Sequence, residues 1–184
     1  MRFYSNSKAR NMKILLIIDM QNDFVSGALK NKQALKIVKN IENKAKKFKG
    51  KIFFTQDTHN AKIYLKTLEG KNLPIKHCIR GTKGWEIIQP LKKFIDKDNV
   101  IEKSTFGCEK LIELFNKLNK KEKIEEIILV GTCTDICVIS NAFLLKTHFP
   151  EIPIIIDQKC CAGTTIKNHN IALQAMRLSQ IKII

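Results

Sequence analysis

The segment GTCTDICV, residues 131–138, sets Cys137 just beyond the apolar run EIILV (126–130), where a buried strand gives way to a helix. In the first turn of a helix, exposed N–H groups and the positive end of the helix dipole favour an anion, which lowers a thiol's pKa and makes a thiolate nucleophile. The same backbone donors can receive an oxyanion. A buried cysteine that merely packs within a helix fits this segment equally well. A cysteine nucleophile also needs a proton carrier, because its leaving group departs protonated. Asp19 ends the apolar run KILLIID (13–19), and the following Met20, Gln21, Asn22, Asp23 and Phe24 read as a loop that leaves the carboxyl aimed over a sheet edge. A simple turn cap is the competing role for Asp19. Lys103 follows the strand-like NVIE (99–102), where it could hold Asp19 charged, lower the pKa of Cys137 or steady an oxyanion. A solvated lysine is the commoner role for one of 33 basic residues.

A second group has the composition of a metal site. Asp57 and His59 stand two apart at the end of KIFFTQ (51–56), a spacing that puts both side chains on one face of an extended chain. His77 follows after a loop able to fold back. Two imidazoles and a carboxylate suit Zn²⁺, Fe²⁺ or Mn²⁺, with positions left for water or substrate. A surface Asp-Thr-His turn is the alternative. With only 4 histidines in the chain, a histidine-rich metal store is excluded.

The elements that must position these residues alternate. Strands are expected at 13–19, 51–56, 99–102, 126–130, 152–157 and 181–184. Helices are expected at 31–48, 108–119, 134–147 and 165–179, the first with Ala34, Leu35, Val38, Ile41, Ala45 and Phe48 at helical spacing. A loop-rich excursion runs from Asp57 to about Gly84. Continuous apolar strands separated by helices call for an α/β fold: a single-domain, Rossmann-like parallel sheet covered by helices on both faces. Such sheets bind ligands beyond the carboxyl ends of their strands, where Asp19, Asp57, Lys103 and Cys137 all fall.

Composition narrows the class. A chain of 184 residues with 44% hydrophobic and 27% charged residues fits one domain with a real core, and no apolar run approaches the roughly 18–20 residues of a membrane span. Residues 1–11 are polar and basic, lack the apolar centre of a secretory signal, and are expected to form a disordered tail before a domain at 12–184. Six cysteines in a core-rich chain of this length are expected to be reduced, which points to the cytoplasm. The net charge of +16 comes from lysines spread over polar helix faces, without an arginine-rich block or an aromatic-interleaved basic patch, so no specific nucleic-acid partner is expected.

Six segments in order, LLIIDMQNDFVSGAL, FFTQDTH, HCIRGTKGWEI, EKSTFG, GTCTDICV and DQKCCAGTT, resemble the isochorismatase-like cysteine hydrolases and, within them, the nicotinamidase/pyrazinamidase branch. The resemblance implies that Cys137 is the nucleophile, Asp19 the acid/base and Lys103 the third member of a triad. It implies a cis peptide bond at Thr132–Cys133, with the N–H groups of Cys133 and Cys137 receiving the oxyanion. Phe24 would stack on a flat substrate ring, and Asp57, His59 and His77 would hold a divalent metal, zinc ahead of iron or manganese; Trp85, the only tryptophan, reads on its own as either a pocket wall or an interface anchor. The implied reaction is hydrolysis of a small-molecule amide, nicotinamide to nicotinate and ammonia, by a homo-oligomer. The alternatives are a sibling amidase for ureido, carbamoyl or maleamate-type amides, and a catalytically silent binding fold. Glu69 is the sole further metal-side candidate in the loop NAKIYLKTLEGKNLPIK (60–76), which departs from the branch pattern.

Overall fold

A computed structural model describes residues 11–184; the expected tail at 1–11 lies outside the described residues except for Asn11. The chain runs β1 (Met12–Ile18), α1 (Asn22–Val25), α2 (Lys32–Lys47), β2 (Lys51–Asp57), α3 (Leu68–Asn72), β3 (Val100–Lys103), α4 (Glu109–Lys121), β4 (Ile124–Thr132), α5 (Ile139–His148), β5 (Ile154–Ala162), α6 (Ile166–Leu178) and β6 (Lys182–Ile183). The strands form one sheet in the order β3-β2-β1-β4-β5-β6, and every pairing is parallel.

Alternating side chains along β1 seed two cores. Ile14, Leu16 and Ile18 pack on one face with Leu111 and Phe115 of α4, Leu145 of α5 and Met176 of α6. Leu15 and Ile17 pack on the other face with Ala34, Ile37 and Ile41 of α2. Both faces are therefore buried, the environment in which strands read as unbroken apolar runs. Among the described residues, no helix is long and apolar enough to cross a membrane.

The topology decides where the site can be. From β1 the chain builds outward to β2 and β3, then returns to lay β4 on the other side of β1. The crevice at this reversal, beyond the carboxyl ends of β1 and β4, is where such sheets bind ligands. Residues 20–24 depart from the expected loop: Asn22 begins the short helix α1, with Asp19 held at φ 47° between strand and helix. The segment 134–147 is also not one uniform helix, since a π-helical turn at Thr134–Val138 precedes α5. Strands β4 and β5 extend beyond their apolar runs, to Thr132 and Ala162.

Candidate active site

Asp19, Lys103 and Cys137 come from the ends of three different strands and meet. Lys103 Nζ lies 2.8 Å from Asp19 Oδ2 and 3.5 Å from Cys137 Sγ. It also donates to the Thr105 carbonyl at 3.1 Å and approaches Asp57 Oδ1 at 3.4 Å. The register explains the meeting: Ile18 pairs with Gly131 across β1–β4, and Asp57 pairs with Lys103 across β2–β3. Gly131 permits the close approach, because a Cβ there would stand 2.1 Å from the Ile18 carbonyl oxygen and its φ is +123°. The following Thr132–Cys133 peptide bond is cis.

Burial governs the charges. Asp19 is wholly buried, and burial raises its carboxyl above the ordinary value although Lys103 pulls the other way. Thr55 Oγ1 donates to Asp19 Oδ1 at 2.7 Å and steadies the group. Burial opposes the charge on Lys103, but Asp19, Cys137 and Asp57 overcome it and keep the ammonium protonated well above its usual range. The Cys137 thiol corrects the expectation of a lowered pKa: burial pushes it well up, and Lys103 offsets only part of that. Desolvation of the anion, with the neighbouring carboxylates of Asp19 and Asp57, outweighs the ammonium at this depth. Cys137 therefore rests as a thiol beside a carboxyl of raised proton affinity.

Asp57, His59 and His77 also come together, and Glu69 joins them from α3; one ligand atom from each lies within 4.8 Å of all the others. His59 Nε2 stands 3.0 Å from Asp57 Oδ2 and 3.6 Å from Glu69 Oε1, and His77 Nε2 is 3.6 and 3.7 Å from the same two atoms. His77 Nδ1 is 2.9 Å from the Ile75 carbonyl, which accepts its N–H and turns Nε2 toward the group. Among the described residues, His59 Nε2 is buried with no hydrogen-bond partner despite the nearby carboxylate. An orphaned imidazole nitrogen among convergent carboxylates fits a divalent metal of the zinc, iron or manganese type. Burial works against the charge on Asp57, yet His59, His77 and Lys103 hold its carboxyl well below the usual carboxylate range.

One cavity of about 560 Å³ is lined by Cys133 and Cys137 together with Asp57, Glu69 and His77. Phe24, Leu73, Phe106 and Ile136 supply its apolar walls, and the Phe24 ring lies 5.7 Å from that of His77. Trp85 does not line this cavity. Its indole donates to Thr58 Oγ1 at 2.8 Å, and its carbonyl accepts from the Gln21 and Gln56 side chains at 2.8 and 2.9 Å, which anchors it under the strand ends.

Several supporting residues went unnoticed in the sequence. Buried Gln21 donates to the Asp57 carbonyl and accepts from the Asp57 N–H, both at 2.8 Å, so β1 carries the metal-side strand end. Buried Asn141 accepts from Cys108 N at 3.0 Å and donates to the Phe106 and Cys137 carbonyls at 3.0 and 2.7 Å. Only the unlikeness of a polar residue on the apolar face of α5 could have flagged Asn141.

The isochorismatase domain model matches residues 13–184. Among solved structures, a nicotinamidase/pyrazinamidase from Bacillus subtilis is 26% identical, covers 94% of this chain and 98% of its own, and superposes with a TM-score of 0.74. A pyrazinamidase/nicotinamidase from Streptococcus mutans is also 26% identical, with 94% and 99% coverage and a TM-score of 0.77. A pyrazinamidase of Pyrococcus horikoshii in complex with zinc shares the fold at 22% identity, with 94% and 98% coverage and a TM-score of 0.76. With the domain match spanning nearly the whole chain and these neighbours aligned end to end, the protein belongs to the isochorismatase family of hydrolases.

Proposed function

We propose that the protein is a cysteine amidohydrolase that converts nicotinamide to nicotinate and ammonia. The observation that carries this reading is the meeting of Asp19 and Lys103 with Cys137, which lines a cavity that Asp57, Glu69 and His77 line as well. The nicotinamidases among its structural neighbours support the substrate.

Asp19 takes the Cys137 proton, which its raised proton affinity equips it to hold. The thiolate, supported by Lys103, attacks the amide carbon, and the N–H groups of Cys133 and Cys137 receive the oxyanion. Asp19 returns the proton to the departing ammonia. Water then cleaves the thioester, with Asp19 again accepting a proton, and the free thiol is restored. A divalent metal held by Asp57, His59, Glu69 and His77 would supply a Lewis acid for a ring nitrogen of the substrate. Phe24, which lines the same cavity, stacks on a flat ring and fixes its orientation.

A sibling reading, an amidase for carboxylate-bearing amides of the maleamate type, is favoured by one observation: the exposed Lys30 and Lys32 line the same cavity. Ammonia release separates the readings, measured from nicotinamide with metal-loaded protein beside Cys137→Ala. Turnover that disappears in the variant supports the proposal. Absence of turnover with metal in place rejects nicotinamide and moves the assignment to the sibling amides.

A further inference from the structure

The turn that carries Cys137 is tied down by side chains that the proton transfer and the metal group leave unused. Asp135 is half-buried within it, and its carboxylate accepts the Thr164 N–H at 2.8 Å and also the Thr164 hydroxyl. Asn168 Nδ2 donates to that same hydroxyl oxygen at 2.9 Å. One residue earlier, fully buried Thr134 places its Oγ1 2.9 Å from His169 Nδ1. The β5–α6 loop is packed closely against both: a Cβ on Gly163 would stand 2.8 Å from His169 Cβ and 2.9 Å from Asp135 Oδ1. Asn31 Nδ2 donates to the Gly163 carbonyl at 2.7 Å, which fastens this loop to the start of α2 beside the cavity.

Within the turn itself, Ile136 N and Val138 N both donate to the Cys133 carbonyl, at 3.1 and 3.0 Å. Those bonds shape the turn but do not place it relative to Lys103 and Asp19, which come from other strands. The ties from Asp135 to the β5–α6 loop and from Thr134 to His169 of α6 do place it. A carboxylate that accepts both a backbone N–H and a hydroxyl is a charge-assisted anchor, stiffer than a neutral contact.

We infer that Asp135 and Thr164 are positioning residues that set the Cys133–Cys137 turn against Lys103 and Asp19. This rests on the reading of Cys137 as the nucleophile. A displacement on the order of 1 Å at a reacting group costs roughly a hundred-fold in rate, so loss of the anchor lowers kcat while leaving the substrate's other contacts in place.

The test uses the full metal-loaded chain with Asp135→Ala, Asp135→Asn and Thr164→Val. Two quantities are measured: kcat and KM for nicotinamide, and the rate at which iodoacetamide alkylates Cys137, located by mass spectrometry from about pH 6 to about pH 9. Asp135→Ala is expected to lower kcat by roughly ten- to a hundred-fold with KM within about two-fold, and to slow alkylation about five-fold as the thiol moves off Lys103. Asp135→Asn, which can still accept the Thr164 N–H, is expected to recover most of both. Thr164→Val removes one hydroxyl from an exposed residue and decides the matter if Asp135→Ala fails to fold. The inference is overturned if kcat and alkylation stay within about two-fold of the parent, or if KM alone rises. If the parent leaves nicotinamide untouched, the substrate reading fails, and the alkylation rates still decide the positioning role.

Discussion

Replacing Lys103 by methionine removes a charge while keeping much of the side-chain volume, and it strands Asp19. Asp19 is wholly buried and Lys103 is 5% exposed, with 2.8 Å between their charged atoms, so neither is rescued by solvent. Breaking a buried pair by deleting one partner costs about 3–5 kcal/mol. For a chain of this size each kcal/mol is worth about 2–4 °C in Tm, so a fall of roughly 6–20 °C is expected. Asp57 also loses Lys103 but keeps its contacts to His59 and His77, so the penalty centres on Asp19. The pH dependence has a definite sign. Burial already holds the Asp19 carboxyl above its ordinary value in the folded protein, and loss of Lys103 sends it higher. A folded-state pKa above the unfolded one means that stability is retained at low pH and lost as pH rises through the interval between them. The deficit relative to the parent is therefore largest near neutrality and shrinks toward about pH 4. Denaturant unfolding of both chelator-stripped proteins across that range measures it, and Asp19→Asn/Lys103→Met should lose less than the sum of the single variants. A cost below about 1 kcal/mol at neutral pH, or one that grows on acidification, would refute the buried-pair argument.

Two further outcomes are expected. Gln21→Leu cuts the link between β1 and the Asp57 backbone, and metal affinity should fall on the order of ten- to a hundred-fold in a competitive chelator titration; an unchanged affinity would show that Asp57 is held without it. Gly131→Ala forces a Cβ against the Ile18 carbonyl at a φ of +123°, so stability should drop by at least about 2 kcal/mol, and an unaltered melting curve would contradict the close approach.

The apolar runs are local facts, and they reported the strands well. Ile14 to Ile18 and Ile127 to Val130 are buried on both sheet faces, which is why no polar alternation interrupts them. Helix α2 was legible for a similar reason: Ala34, Ile41 and Ala45, read at helical spacing, are buried, while Ile37 completes that face and Leu35 is exposed. The segment from Asp57 to Gly84 carries no periodic pattern, because its short helix α3 has Gly70 at its centre and too few residues to show one. That is also why Glu69 stood as a bare candidate until the fold brought it within 4.8 Å of both imidazoles.

From residue types and their order alone came the alternating α/β pattern, the strand ends as the place for chemistry, and the candidate residues Asp19, Lys103, Cys137, Asp57, His59 and His77. The tertiary structure decided which ends face one another. The pairing of β1 with both β2 and β4, and of β2 with β3, sets Asp19, Cys137 and Lys103 in contact, and no local pattern specifies which strands become neighbours. It also decided the direction of the Cys137 pKa. A helix start is visible in sequence, but the desolvation that raises this thiol depends on every segment that covers it. Trp85 was drawn out of the cavity in the same way, by its indole bond to Thr58 and by Gln21 and Gln56 holding its carbonyl. Periodicity is carried by neighbours in the chain, whereas dielectric, register and hydrogen-bond partners are set by neighbours in space.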